Sequence, residues 1–253
     1  MLPGGMMPVT QLVALVRSTP PKGAAALLAS IPADRLPVVV AALRPADVAR
    51  LLPAARSDIR GTLVDMLSPE QLAELLPAAS ADQAVILLSA LPPERLGLAV
   101  EDLSDQAIAT LLGRLPVREQ DAMFSVMGRR RGHAVRCQMY VDDVADALAR
   151  ANADVAVPDV APTGILLVHK LGWRIAVAAR YGDDGRMAVR DAEEGAYRLR
   201  ATGALAVTDH QPAEDVVRYC NESQRQGRPI DAVAWAHPDH DGPLKRTLVR
   251  LFQ

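Results

Sequence analysis

Aromatic side chains make up only 3% of this sequence, and there are just two cysteines. With so few aromatics, the core must be built from Ala, Leu and Val, which favours many thin helix–helix contacts over a few bulky anchors. Cys137 and Cys220 lie far apart and form no CxxC pair, which excludes a disulfide framework and a structural zinc site. The formal net charge of -2 excludes a global basic field that would draw in nucleic acid, so any such binding needs a local patch. No stretch is long and apolar enough to span a bilayer, and the first twenty residues lack the positive start of a signal peptide. The expectation is a reduced, cytoplasmic protein that does not enter the membrane. GxGxxG, P-loop, HExxH and GxSxG motifs are absent, as is any recognisable Ser or Cys nucleophile arrangement. No catalytic residue is therefore assigned and no cofactor is expected.

What is present fits a packed protein. Half of the 253 residues are apolar and under a quarter are charged, enough for one large domain or two ordinary ones. Arg far outnumbers Lys and Ala is abundant, a common mark of a GC-rich bacterial genome.

The first half repeats itself. RPADVARLLPAA (44–55) returns as SPEQLAELLPAA (68–79), 24 residues on. Pro21, Pro45, Pro69 and Pro93 fall in phase, as do Leu43, Leu67, Leu91 and Leu115. Each period holds two short helical segments. Ser68 suits an N-cap and Pro69 the first helical turn, where a missing N–H is harmless. Leu72, Leu75 and Leu76 form one apolar stripe. Pro53 and Pro77 fall late in their segments and are expected to end or kink them. Helices this short persist only when stacked on neighbours.

This wording resembles the N-terminal helical superhelix of MgtE-type magnesium transporters and, more loosely, the helical domains of the flagellar motor protein FliG, over residues 20–127. In the transporters the domain sits beside CBS domains and a membrane channel, and some of its acids help bind magnesium. Here neither CBS-like sequence nor membrane helices follow, so transport does not carry over. Asp34, Asp58 and Asp82 are the acids such a resemblance would point to, and helix-start acids explain them equally.

MFSVMGRRRGHAVR (123–136) breaks the repeat and holds the strongest basic cluster: Arg129, Arg130, Arg131, His133 and Arg136. It reads either as a phosphate contact or as a solvated linker or helix end. VDDVADALARANA (141–153) reads as an amphipathic helix and VAVPDVAPT (155–163) as a connector. From Gly164 the period becomes strand-like. GILLVHK and WRIAVAARY suggest a hairpin around Gly172, and GDDG (182–185) a turn. A helix then ends at Gly203, ALAVTD is a buried strand, and a second helix runs from Pro212 to Gly227. DAVAWAH is a further strand, and GPLKRTLVRLFQ closes as a helix. The fold class is α + α/β: a helical repeat array followed by an α/β sandwich. Residues 1–20 read as a lead-in, 21–127 as the repeat domain, and 128–163 as basic linker, helix and connector. Residues 164–253 read as the α/β domain, with its first helix at 137–153.

RIAVAARYGDDG, followed by ATGALAVTDHQPAEDVVRYC, resembles the Mrr-type restriction-endonuclease fold over about residues 135–240. That resemblance implies a carboxylate on one strand and an acid-or-Gln, x, Lys set on the next, with Mg²⁺ polarising the phosphate. Aligned on Arg180 and Tyr181, those two positions hold Val177 and Ala179. No carboxylate lies between Asp159 and Asp183, so the preceding strand lacks a metal ligand too. What the resemblance implies here is a nuclease-like domain without nuclease chemistry. Nucleic-acid contacts would fall to Arg129, Arg130, Arg131, Arg136 and Arg180.

HPDHDG (237–242) gathers His237, Asp239 and His240, ligand types for a metal, but a polar loop explains them as well. Asp183 and Asp184 are turn residues unless a metal recruits them. Asp209 and His210 sit at a strand end, where α/β proteins often place ligands. The functional expectation is a non-catalytic adaptor: repeats that bind a protein partner, and a nuclease-like domain that binds nucleic acid or protein. Two alternatives stay open. One is a divergent Mg²⁺-dependent nuclease of a defence or repair system, using Asp159, Asp183 or Asp184. The other is a purely structural protein that assembles into homo-oligomers.

Overall fold

Ten helices of six to ten residues come first. In this computed structural model, which describes residues 7–158, 164–170 and 172–252, they are α1 (Val9–Ser18), α2 (Pro21–Ala29), α3 (Leu36–Ala41), α4 (Pro45–Leu51), α5 (Ser57–Asp65), α6 (Pro69–Ala78), α7 (Ala81–Ala90), α8 (Pro93–Glu101), α9 (Asp105–Leu112) and α10 (Val117–Val126). A longer helix, α11 (Arg129–Arg150), follows. From α4 onward the helices begin at residues 45, 57, 69, 81, 93, 105, 117 and 129, twelve apart. Residues 9 and 21, which open α1 and α2, lie on the same count. Only α3 starts late, because a turn closed by Arg35 N–H on Pro32 O precedes it. The chain divides into two compact units, Met1–Val135 and Arg136–Gln253, and the boundary falls inside α11.

Local chemistry explains the starts in the first unit. Pro21, Pro45, Pro69 and Pro93 each occupy the first helical position. Ser68 and Ser80 close reciprocal capping boxes with Gln71 and Gln83: each Ser Oγ accepts from the Gln backbone N–H (3.2 and 3.3 Å), and each Gln Oε1 accepts from the Ser N–H (2.9 Å in both). Pro53 falls in a 3-10 turn after α4, whereas Pro77 is tolerated one residue before the end of α6. The written repeat LLPAA is core: Leu51, Leu52, Leu75 and Leu76 are buried, and so are Ala55 and Ala79. Residues 9–18, read as lead-in, are helical because Leu12, Val13 and Val16 bury one stripe.

Helix ends are satisfied at long range. Arg35 donates to Met7 O, Arg95 to Leu67 O and Arg131 to Leu103 O, each across 28 residues. Arg95 also donates to Val64 O (2.9 Å), and Arg50 donates to Val16 O and Thr19 O (2.9 and 3.0 Å). Met7 precedes α1, but the other acceptors lie in or just beyond the last turn of a short helix, where carbonyls run short of N–H partners and a cation also suits the dipole. Asp47 is buried between Arg17 and Arg44 (2.9 and 3.1 Å). The Arg44 hydrogen bond, helped by Arg17, holds its carboxyl below the usual range against the opposing effect of burial.

The second unit is an α/β sandwich. After α11 come β1 (Asp154–Ala156), β2 (Ile165–Lys170), β3 (Trp173–Arg180), α12 (Arg186–Leu199), β4 (Gly203–Thr208), α13 (Glu214–Arg225), β5 (Ile230–Ala234) and α14 (Asp241–Leu251). The five-stranded sheet has the order β1-β2-β3-β4-β5. The first three strands are antiparallel neighbours, and β3, β4 and β5 run parallel. One face packs Leu166, Val177, Leu205 and Val233 against Tyr140 and Val144 of α11 and Leu244 and Leu248 of α14. The other packs Ile165, Ala178 and Ala206 against Ala188 and Ala192 of α12 and Val216 of α13.

Three boundaries differ from the sequence reading. β1 overlaps the stretch read as a connector, because Val155 and Ala156 of it, with Asp154 just before, pair with Leu167–His169 of β2. α11 starts at Arg129, so the basic cluster is helical rather than linker. α12 stops at Leu199 instead of Gly203, and Arg200 supplies the left-handed cap (φ 50°). Gly203 is needed elsewhere: a Cβ there would meet Pro229 O at 2.9 Å.

Candidate functional site

Three places carry the residues picked out from the sequence. The first is the sheet of the second unit. Val177 and Ala179, at the positions a nuclease would give to metal and catalytic Lys, are 0% and 3% exposed. They belong to the apolar face that holds Tyr140, Val207 and Trp235. The Tyr140 ring lies 6.0 Å from Tyr181 and 6.1 Å from Trp235, tilted in both cases. Its hydroxyl donates to Trp235 O at 2.7 Å, and burial pushes its pKa far above the ordinary tyrosine value. Trp235 in turn donates from Nε1 to Asp241 (2.9 Å), which also pairs with Arg150 (2.9 Å). Those two contacts, Arg150 first, hold the Asp241 carboxyl below its usual range. Aromatic rings and a satisfied polar network thus fill this end of the face.

The surrounding groups are also engaged. Arg180 is ion-paired with Asp191 of α12. Asp209, at the end of β4, accepts from Gly182 N–H (2.6 Å) and holds the His210 ring (2.8 Å). Asp183 accepts from Ala188 N–H at 2.7 Å and so caps the start of α12, while Asp184 pairs with Arg186. Gly182 and Gly185 have φ of 72° and 98°, so GDDG is a turn built on its glycines. Cys137 has its thiol pushed up by burial, partly offset by Arg180. Asp159 lies outside the described residues.

The second place is the HPDHDG loop. His237 Nδ1 lies 3.3 Å from Asp239 and accepts from its backbone N–H at 3.4 Å. His240 Nδ1 accepts from Ala236 N–H at 3.4 Å. Among the described residues, no group of three or more His, Cys, Asp or Glu is arranged to hold a metal ion. Asp58 and Asp82 occupy first helical turns, and Asp34 lies in the turn before α3.

The third place is the start of α11. Arg129 and Arg130 are exposed, as is Arg136 further along, and Arg131 is half-buried. Arg131 is committed to structure: it donates to Leu103 O and pairs with Asp105 at 3.1 Å. Cations at a helix start face the positive end of its dipole, the less favourable end. With Asp105 and Ala134, Arg129, Arg130 and Arg131 line an open depression of about 720 Å³, which Arg136 does not reach. Sequence reading missed that Arg131 belongs to the array. The signal was its spacing, since it stands third in its helix, as Arg95 does in α8.

Comparison with known proteins adds one clear likeness. Residues 43–137 match a family described as the MgtE intracellular N domain. This stretch covers α4 to α10 and the first turns of α11. No curated protein matches. A solved structure, "Crystal structure of the soluble part of a magnesium transporter", aligns at 15% identity with a TM-score of 0.36, over 53% of this chain and 50% of its own. The chain therefore spans half the length of that structure, and the likeness is too slight to fix a shared fold. None of the described helices is long and apolar enough to cross a membrane. It is the helical unit, rather than the α/β unit, that is similar to a named family: the intracellular N domain of MgtE.

Proposed function

We propose that this chain is a non-catalytic adaptor or assembly protein. In this reading the helical array binds a protein partner, and the α/β domain is a nuclease-like scaffold that recognises nucleic acid or protein without cutting. The observation that carries the proposal is the burial of Val177 and Ala179 among Tyr140, Val207 and Trp235. Neither side chain can ligate a metal or move a proton, and the face they occupy is already packed. An antiparallel run of strands followed by a crossover helix to a parallel strand supports the restriction-endonuclease-like reading. The array's likeness to the MgtE intracellular N domain is in keeping with a binding rather than a chemical role. The divergent-nuclease alternative has less support, because Asp183 and Asp184 are occupied as a helix cap and an ion-pair partner.

Incubation of the purified protein with several DNA and RNA forms and Mg²⁺ or Mn²⁺ tests the reading. No cleavage is expected. Cleavage that disappears in Asp183→Ala would establish the nuclease instead. The nucleic-acid arm rests on Arg129 and Arg130, exposed beside the positive end of α11. Binding that weakens with salt and fades in Arg129→Glu/Arg130→Glu supports it. Absence of binding at low salt leaves only the protein partner.

A further inference from the structure

α12 lays one face on the sheet, through Ala188, Ala192, Gly195 and Leu199. The opposite face carries Met187, Arg190, Glu194 and Tyr197, spaced three, four and three residues apart. At 100° per residue these four share one narrow stripe. Met187 is 51% exposed and Tyr197 86%, the most open of the large apolar side chains among the described residues. Arg190 is exposed. The Glu194 side chain is 42% exposed and pairs only along its own helix, with Arg198.

The order of the stripe is apolar, basic, acidic, aromatic. Laid antiparallel on a copy of itself, it sets Met187 opposite Tyr197 and Arg190 opposite Glu194. Both pairings share a single midpoint, level with Ala192, so one two-fold axis makes each pair twice. A patch that is complementary to itself about a single axis is what a two-fold dimer requires. We infer that the exposed face of α12 docks a second copy of this chain, helix antiparallel to helix, with Arg190 and Glu194 as reciprocal ion pairs flanked by Met187 and Tyr197. The inference does not depend on whether the α/β domain is catalytic. A single helix pair buries little area, so the dimer is of the small, reversible kind and depends on concentration.

The test is sedimentation velocity of the full chain across a concentration series. The wild type is expected to shift from monomer to dimer as concentration rises. Arg190→Glu and Glu194→Arg, each alone, place like charges together and weaken the dimer about tenfold or more. The double variant Arg190→Glu/Glu194→Arg restores it, because each reversed residue then meets a reversed partner. Tyr197→Ser also weakens it, and so exposed a residue leaves the fold intact, as circular dichroism will check. A wild type that stays monomeric throughout overturns the inference. So does a dimer indifferent to Arg190→Glu and Tyr197→Ser, or one that the double swap fails to rescue.

Discussion

The two units solve the same shortage of bulky side chains in opposite ways. Up to residue 135 the only aromatic is Phe124, while both tryptophans and all four tyrosines lie in the α/β unit. The array has no anchors. It buries rows of leucine on short helices and ties their ends with arginines that reach back 28 residues or more. The sheet concentrates its adhesion instead, setting Tyr140, Tyr181 and Trp235 around one end of a strand ladder. Stability should thus be spread thinly in the first unit and gathered centrally in the second. A short series of substitutions would break or sharpen that contrast.

The largest effect is expected from Val177→Asp, which places a carboxylate in a dry face. It should destabilise the α/β unit by about 3 kcal/mol or more. Combined with Ala179→Lys it restores the letters of a nuclease motif, yet no cleavage should follow, because the preceding strand still lacks a ligand. Chemical denaturation and a nuclease assay check both points.

Arg95→Ala comes next. It leaves the carbonyls of Val64 and Leu67 without their guanidinium partner, at a cost of about 1–3 kcal/mol. Hydrogen exchange should quicken at the end of α5 and leave the sheet unmoved. A loss spread evenly over both units would contradict the division drawn here.

Asp47→Asn is smaller and depends on pH. Its folded pKa is depressed, so its contribution is present above the unfolded value of about 4 and fades as pH falls through the folded one. At neutral pH the variant should lose about 1–2 kcal/mol. The gap to wild type should close in strongly acidic urea titrations, and a constant gap would assign the effect to packing.

The smallest effect is expected from Arg130→Glu. It exchanges a cation for an anion at the positive end of α11 and should raise stability by about 0.3–1 kcal/mol. Arg131→Ala, one residue on, should do the reverse, since Arg131 holds Leu103 O and Asp105. Thermal melts of the pair separate an open arginine from a tied one.

Much of the array is legible in the sequence, because proline, serine and leucine act locally. Pro21, Pro45, Pro69 and Pro93 each open a helix, and the two leucines and last alanine of LLPAA are buried in both copies. The strands of GILLVHK, WRIAVAARY and ALAVTD are equally plain, being apolar on both faces. What stays hidden depends on distant partners. β1 exists only through β2, and Gly203 reads as a helix stop until Pro229 is seen against it. The start of α11 is masked because three arginines look like linker, although the count of twelve continues through them. Tyr140 gives no local sign of its role. Its partner Trp235 is 95 residues away.

The even spacing of helix starts has a consequence for how such a chain can change length. Excising residues 69–92 would bring Ser68 directly before Pro93, so the old cap would meet a new first turn and every later helix would keep its place in the count. A cut of any size that is not a multiple of twelve would throw the helix starts that follow it out of the count. The array is therefore editable in whole words and brittle to single letters. Its length is quantised in a way that the sheet of the second unit, where each strand has its own fixed neighbours, cannot be.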